Sequence, residues 1–248
     1  MPLFQKKDLS RRVRILDAIR GAAVIAMIVH HAYVLLNFTR GVTFGFFSSG
    51  LFYALQMFFV SVFLLVSGVC TNYGRNVLKR GVIVFGAALL ITLVTAVLLP
   101  AVGIEGLEIY FGILHMFGLS MLLYGLLRPA FDKCPAAPVA VLCCLLFAGW
   151  LVWMHFVPNM ESPLGMMTLF GFPGKRFYSA DYYPLLPYFF LFVCGAMIGR
   201  WIKAGKFPKW FYEFHFAPLE FVGRHSLLIY LIHQPIIFAL IMLFFPKG

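Results

Sequence analysis

The chain has 248 residues, 62% of them hydrophobic and 12% charged, with a formal net charge of +11 and a mean hydropathy of +0.92. Its apolar runs are too long and too numerous for a soluble core, which excludes a water-soluble enzyme and specifies a polytopic membrane protein in contact with a lipid bilayer. The positive charge does not signal nucleic acid, because the basic residues sit in short clusters between apolar runs, as in cytoplasmic loops of membrane proteins.

The fold class that follows is all-α. Long uncharged runs without alternation do not read as barrel strands, and backbone groups in lipid need partners within their own segment. Seven spans are expected, at about 15–37, 51–71, 81–100, 109–127, 136–157, 184–202 and 218–245, forming one domain over residues 1–248. The first apolar run exceeds the usual 7–15-residue core of a signal peptide and reads as a retained span. The loop 38–50 is marked by glycine and serine, and 158–183 is the longest connection. Fifteen of the twenty Lys and Arg, or sixteen with Arg20, fall on the side of the N-terminus. The other side has Arg40, Lys175, Arg176 and Lys247. The N-terminus is therefore expected in the cytoplasm and the C-terminus outside. The five cysteines show no metal-ligand spacing, so free thiols and no metal site are expected.

Ionisable residues inside apolar spans point to function by default. On the first span, at ~100° per residue, Asp17, Gly21, Val24, Ile28 and His31 share one stripe, with Arg20 beside it and His30 pointing elsewhere. Asp17 and Arg20, three apart, suit an ion pair, and equally a guanidinium that meets an anionic group arriving from the cytoplasm. His31 is a candidate proton acceptor. On the fourth span, Gly112 and Gly118 flank His115, a second candidate. Asp181, just before the sixth span, either caps that helix or orients a histidine. Gln56 and these three residues fall in the outer half by depth. The last span opens with Arg224 and His225, and Ser226, Tyr230, His233 and Gln234 form a polar stripe along it. Two polar zones at different depths imply two ligands. Polar stripes of this kind also suit a proton-coupled small-solute transporter or a catalytically silent membrane binding protein.

Several ordered motifs resemble the heparan-alpha-glucosaminide N-acetyltransferase catalytic-domain family in its short prokaryotic form. They are Asp-Ala-Ile-Arg-Gly with His31, Val-Ser-Gly at 66–68 followed by Arg-Asn-Val-Leu-Lys-Arg-Gly, Phe-Gly-Ile-Leu-His, Ser-Ala-Asp-Tyr-Tyr-Pro-Leu-Leu-Pro, and Gly-Arg-His-Ser-Leu-Leu-Ile-Tyr-Leu-Ile-His-Gln-Pro. The resemblance implies an integral protein of a prokaryotic plasma (inner) membrane that moves an acetyl group from cytoplasmic acetyl-CoA to an amino sugar or glycan on the extracytoplasmic side. The family's lysosomal member uses a histidine in the loop after the first span. Residues 38–50 contain none, so the resemblance implies either that His31 or His115, with Asp181 orienting the ring, would take that role or that the chemistry has changed. Asp17, Arg20, Arg224, His225, Ser226, Tyr230, His233 and Gln234 would then hold the cofactor, helped by Arg75, Lys79 and Arg80. Gly195 and Gly199, in GxxxG spacing, suit a homodimer contact.

Overall fold

The computed structural model describes residues 13–47, 49–74, 76–156, 166–174 and 177–245. Arg75, Lys175 and Arg176 lie outside them. The structure is all-helical, with 77% helix and no strands among the described residues. Seven helices are long and apolar enough to cross a membrane.

In chain order the helices are α1 (Arg14–Arg40), α2 (Gly50–Val69), α3 (Val77–Leu93), α4 (Ile113–Phe131), α5 (Ala136–Phe156), α6 (Leu185–Lys203), α7 (Lys209–Glu213), α8 (Ala217–Arg224) and α9 (Ser226–Phe244). A π turn at Val94–Leu98 carries α3 on to Ala101. The helical backbone of α6 is regular only beyond Leu186 (φ −96°, ψ 134°), because a residue before proline is pushed out of the α region.

Three boundaries depart from the sequence expectation. The first span runs on to Arg40 and ends where Gly41 turns left-handed (φ 67°), its N–H bonding Asn37 O at 2.8 Å. Only glycine takes that conformation without a Cβ penalty. The fourth span starts at 113 instead of 109, because 108–112 is non-helical and tied to its neighbours. Thr92 Oγ donates to Ile109 O (2.7 Å), Thr95 Oγ accepts from Ile109 N (3.1 Å), and Ser179 Oγ donates to Phe111 O (3.1 Å). The expected last span, 218–245, is two helices. His225 (φ −103°, ψ 17°) breaks the register, leaving α8 too short to cross and α9 as the spanning helix.

The chain divides into two compact units, Met1–Tyr73 with Ile198–Gly248, and Gly74–Met197. In the first, α1 and α8 meet backbone to backbone: a Cβ built on Gly21 would overlap the Leu219 carbonyl oxygen, and one on Gly223 that of Asp17. The contacts His31–His233 and Arg40–Met242 keep the same 202-residue offset, so α1 and α9 run parallel, as the first and last of an odd number of spans must. An apolar cluster of Val13, Ile15, Leu16, Val66, Val69, Ile202 and Phe211 closes one end. Gly199 packs inside this unit against Val69 and Asn72.

In the second unit α3 and α4 approach closely where a Cβ on Gly118 would lie 2.7 Å from Phe85 N. Met116, Met121, Tyr124 and Phe192 fill its interior. None of the five cysteines forms a disulfide, and the Cys144 and Cys194 sulfurs lie 3.3 Å apart.

Candidate active site

The polar stripe of α1 faces α8 and α9 along its length. At one end Asp17 and Arg20 are buried, their side chains 5% and 10% exposed, with Arg20 Nη1 3.7 Å from Asp17 Oδ1. This is the ion pair that i, i+3 spacing allows, and burial of both partners requires it. Beside it Glu220, on α8, is buried and accepts from His215 Nδ1 (2.6 Å) and the Phe216 N–H (2.9 Å). Burial alone would raise the Glu220 pKa, but the His215 and Phe216 hydrogen bonds, with the charges of His215 and Arg14, outweigh it and hold the carboxyl below its ordinary value. Arg224 and His225 are exposed; Arg224 Nε donates to Glu220 O (3.2 Å), and His225 Nδ1 donates to Phe221 O (2.9 Å).

Fourteen residues beyond Asp17, about 21 Å along the axis, His31 Nδ1 lies 2.7 Å from His233 Nε2. The rings are stacked with centroids 5.0 Å apart, and Tyr230 packs edge-on to His31. One further bond decides the protonation pattern. His233 Nδ1 is 2.6 Å from Tyr230 O, and a carbonyl only accepts, so that nitrogen carries hydrogen. Neutral His233 then has a lone pair at Nε2, and His31 Nδ1 must be the donor to it. The remaining nitrogen, His31 Nε2, is left with its lone pair, on a side chain that is half-buried. A base pinned in one tautomer by a second residue is the arrangement found in general-base and nucleophilic sites.

His115 is held differently. Its Nδ1 accepts the Gly112 N–H at 3.2 Å, closing the N-terminus of α4, and its Nε2 lies 3.1 Å from Thr92 Oγ. Thr92 already donates to Ile109 O, so Thr92 accepts and His115 Nε2 donates. Both ring nitrogens are committed. Asp181 Oδ2 accepts the Ile113 N–H over 3.4 Å, and a Cβ on Gly112 would come 2.8 Å from Asp181 O. The Phe-Gly-Ile-Leu-His and Ser-Ala-Asp motifs thus meet each other in the second unit, where Asp181 accepts from the first turn of α4.

The structure therefore regroups the candidates. His233, read from sequence as part of a cofactor path, is the partner of His31; Ser226 and Tyr230 occupy α9 between His225 and that pair, and Gln234 lies one residue beyond it. Thr92 and Thr95, which sequence reasoning passed over, clamp the entry to α4. Their spacing of three on one helix face was the available signal.

Residues 12–235 match the family described as heparan-alpha-glucosaminide N-acetyltransferase, catalytic. The chain belongs to this family. The match begins just before α1 and ends just beyond His233, enclosing both halves of the histidine pair. No curated protein matches the chain, and no solved structure does. The family and the seven apolar helices make this an integral membrane protein of acetyltransferase type.

Proposed function

We propose that this acetyltransferase takes its acetyl group from acetyl-CoA on the cytoplasmic side and delivers it to an amino sugar or glycan on the extracytoplasmic side of a prokaryotic plasma membrane, using His31 as the base. The observation that carries this reading is the Nε2 lone pair of His31, set by the His233–Tyr230 hydrogen-bond chain.

Acetyl-CoA supplies an activated thioester carbonyl. As the acceptor's amine or hydroxyl attacks that carbonyl, His31 Nε2 removes its proton. The new N–C or O–C bond forms, the C–S bond breaks, and the proton leaves with the thiol. His233 accepts the His31 Nδ1–H throughout, holding the ring in place and stabilising the charge it gains. The same Nε2 is the atom that carries the acetyl group if transfer proceeds in two steps. Because Arg20 is already paired with Asp17, we assign the cofactor's phosphates to the exposed Arg224 and His225 first, with Arg20 behind them. Ser226 and Tyr230 lie on the ~12 Å of α9 separating His225 from His233, and Gln234 lies just past that histidine. The charge asymmetry supports a cytoplasmic N-terminus. His115 and Asp181, bound into the start of α4, are assigned to architecture.

The test is thiol release from acetyl-CoA by the purified protein in detergent with glucosamine as acceptor. Turnover is expected in the wild type and loss in His31→Ala. Wild-type turnover in His31→Ala refutes the assignment, and solute uptake by proteoliposomes without any turnover replaces catalysis by transport.

A further inference from the structure

Six buried side-chain atoms among the described residues lack a hydrogen-bond partner, and two of them, Nε and Nη1, belong to the guanidinium of Arg40. An unpartnered donor that carries charge is the costliest kind to bury. Arg40 stands in the last turn of α1, and its one hydrogen bond runs from Nη2 to the Met242 sulfur of α9 at 3.1 Å. A thioether is a weak acceptor. Among the described residues the Asp17, Asp132 and Glu220 carboxylates pair with Arg20, Arg128 and His215, and none is paired with Arg40.

We propose that Arg40 is an oxyanion-binding residue, taking a carboxylate, sulfate or phosphodiester oxygen in the place where the Met242 sulfur now sits. A guanidinium matches planar and tetrahedral oxyanions in geometry and charge. The methionine side chain has three rotatable bonds and swings aside at small cost, and once it moves Nε and Nη1 gain the acceptors they lack. The neighbouring loop leaves room, since nothing lies within 4 Å of a Cβ built at Gly41 or Gly45. Phe38, Phe44 and Phe46 offer exposed aromatic faces there. Arg40 is nine residues past His31, about 13.5 Å along the helix. If acetyl transfer is the function, the oxyanion belongs to an acidic acceptor whose reacting group reaches back to His31. The same chemistry is also presented by the headgroup of an anionic lipid.

The full chain, purified in a neutral maltoside, distinguishes the two sources. One arm titrates glucuronosyl-glucosamine and its methyl ester by calorimetry. The other counts phosphatidylglycerol retained from mixed phosphatidylglycerol–phosphatidylcholine nanodiscs by native mass spectrometry. Arg40→Gln is expected either to weaken the acid at least tenfold without affecting the ester, which identifies an acidic acceptor, or to lose one retained phosphatidylglycerol, which identifies a lipid. Met242→Leu, which keeps the volume and removes the competing sulfur, tightens the affected ligand several-fold and covers the case in which Arg40→Gln does not fold. Binding equal to wild type in both arms overturns the proposal. Both readouts are of binding, so failure of the acetyl-transfer reading leaves this result interpretable.

Discussion

Replacing His233 by alanine separates a positioning residue from one that touches substrate. The side chain contributes to His31 one neutral hydrogen bond of 2.7 Å and a stacked ring at 5.0 Å. Such a bond is worth about 0.5–1.5 kcal/mol net, and a decade in rate corresponds to about 1.4 kcal/mol. Losing the constraint on tautomer and ring angle should therefore lower kcat about tenfold while KM for acetyl-CoA stays within twofold. Removing the base itself with His31→Ala forfeits the general-base contribution, about 10²–10⁴-fold. The two effects must not add, because His233 acts only through His31. In a His31→Ala background, His233→Ala should change the residual rate by less than twofold, measured as thiol release at saturating acetyl-CoA and glucosamine. A tenfold drop from His233→Ala in that background, or no drop in the wild type, refutes the relay.

His115→Ala should leave kcat of the folded protein unchanged but lower its thermal stability by about 1–3 kcal/mol, because Gly112 N–H and Thr92 lose their partner; a kcat loss like that of His31→Ala would contradict the structural assignment. Gly223→Ala forces a methyl group into the Asp17 carbonyl and should cost at least about 1–3 kcal/mol as an overpacked contact between two backbones. Gly86→Ala, with nothing within 4 Å of the new Cβ, should be neutral or stabilise by about 0.5–1 kcal/mol; scanning fluorimetry in detergent compares the two. The depressed pKa of Glu220 means that its stabilisation is present above its ordinary value near 4.5 and is lost as pH falls through the lower folded-state value. The melting-temperature gap between wild type and Glu220→Gln should accordingly be constant from pH 7 to about 5 and close below that, and a gap that widens on acidification would contradict it.

The spans were legible because hydrophobic length and bilayer thickness are both local properties of the chain: a run of about 20 apolar residues crosses wherever it occurs. The stripe from Asp17 to His31 was legible too, since helical periodicity alone puts those residues on one face. The break at His225 was not, because the expected span ran through it and the close approach of Gly223 to the Asp17 carbonyl of α1 is a contact that no local pattern shows. Local pattern likewise left Asp181 between a helix cap and a histidine partner, and did not show its contact with α4 across 68 residues of chain.

The amino-acid order by itself determined a seven-span helical membrane protein, its family and a short list of ionisable residues inside the spans. Which histidine has a free lone pair was decided only by tertiary structure. A tautomer depends on what faces each ring nitrogen, and for His31 that partner comes from 202 residues away, while for His115 a nearby backbone N–H and a threonine use both nitrogens.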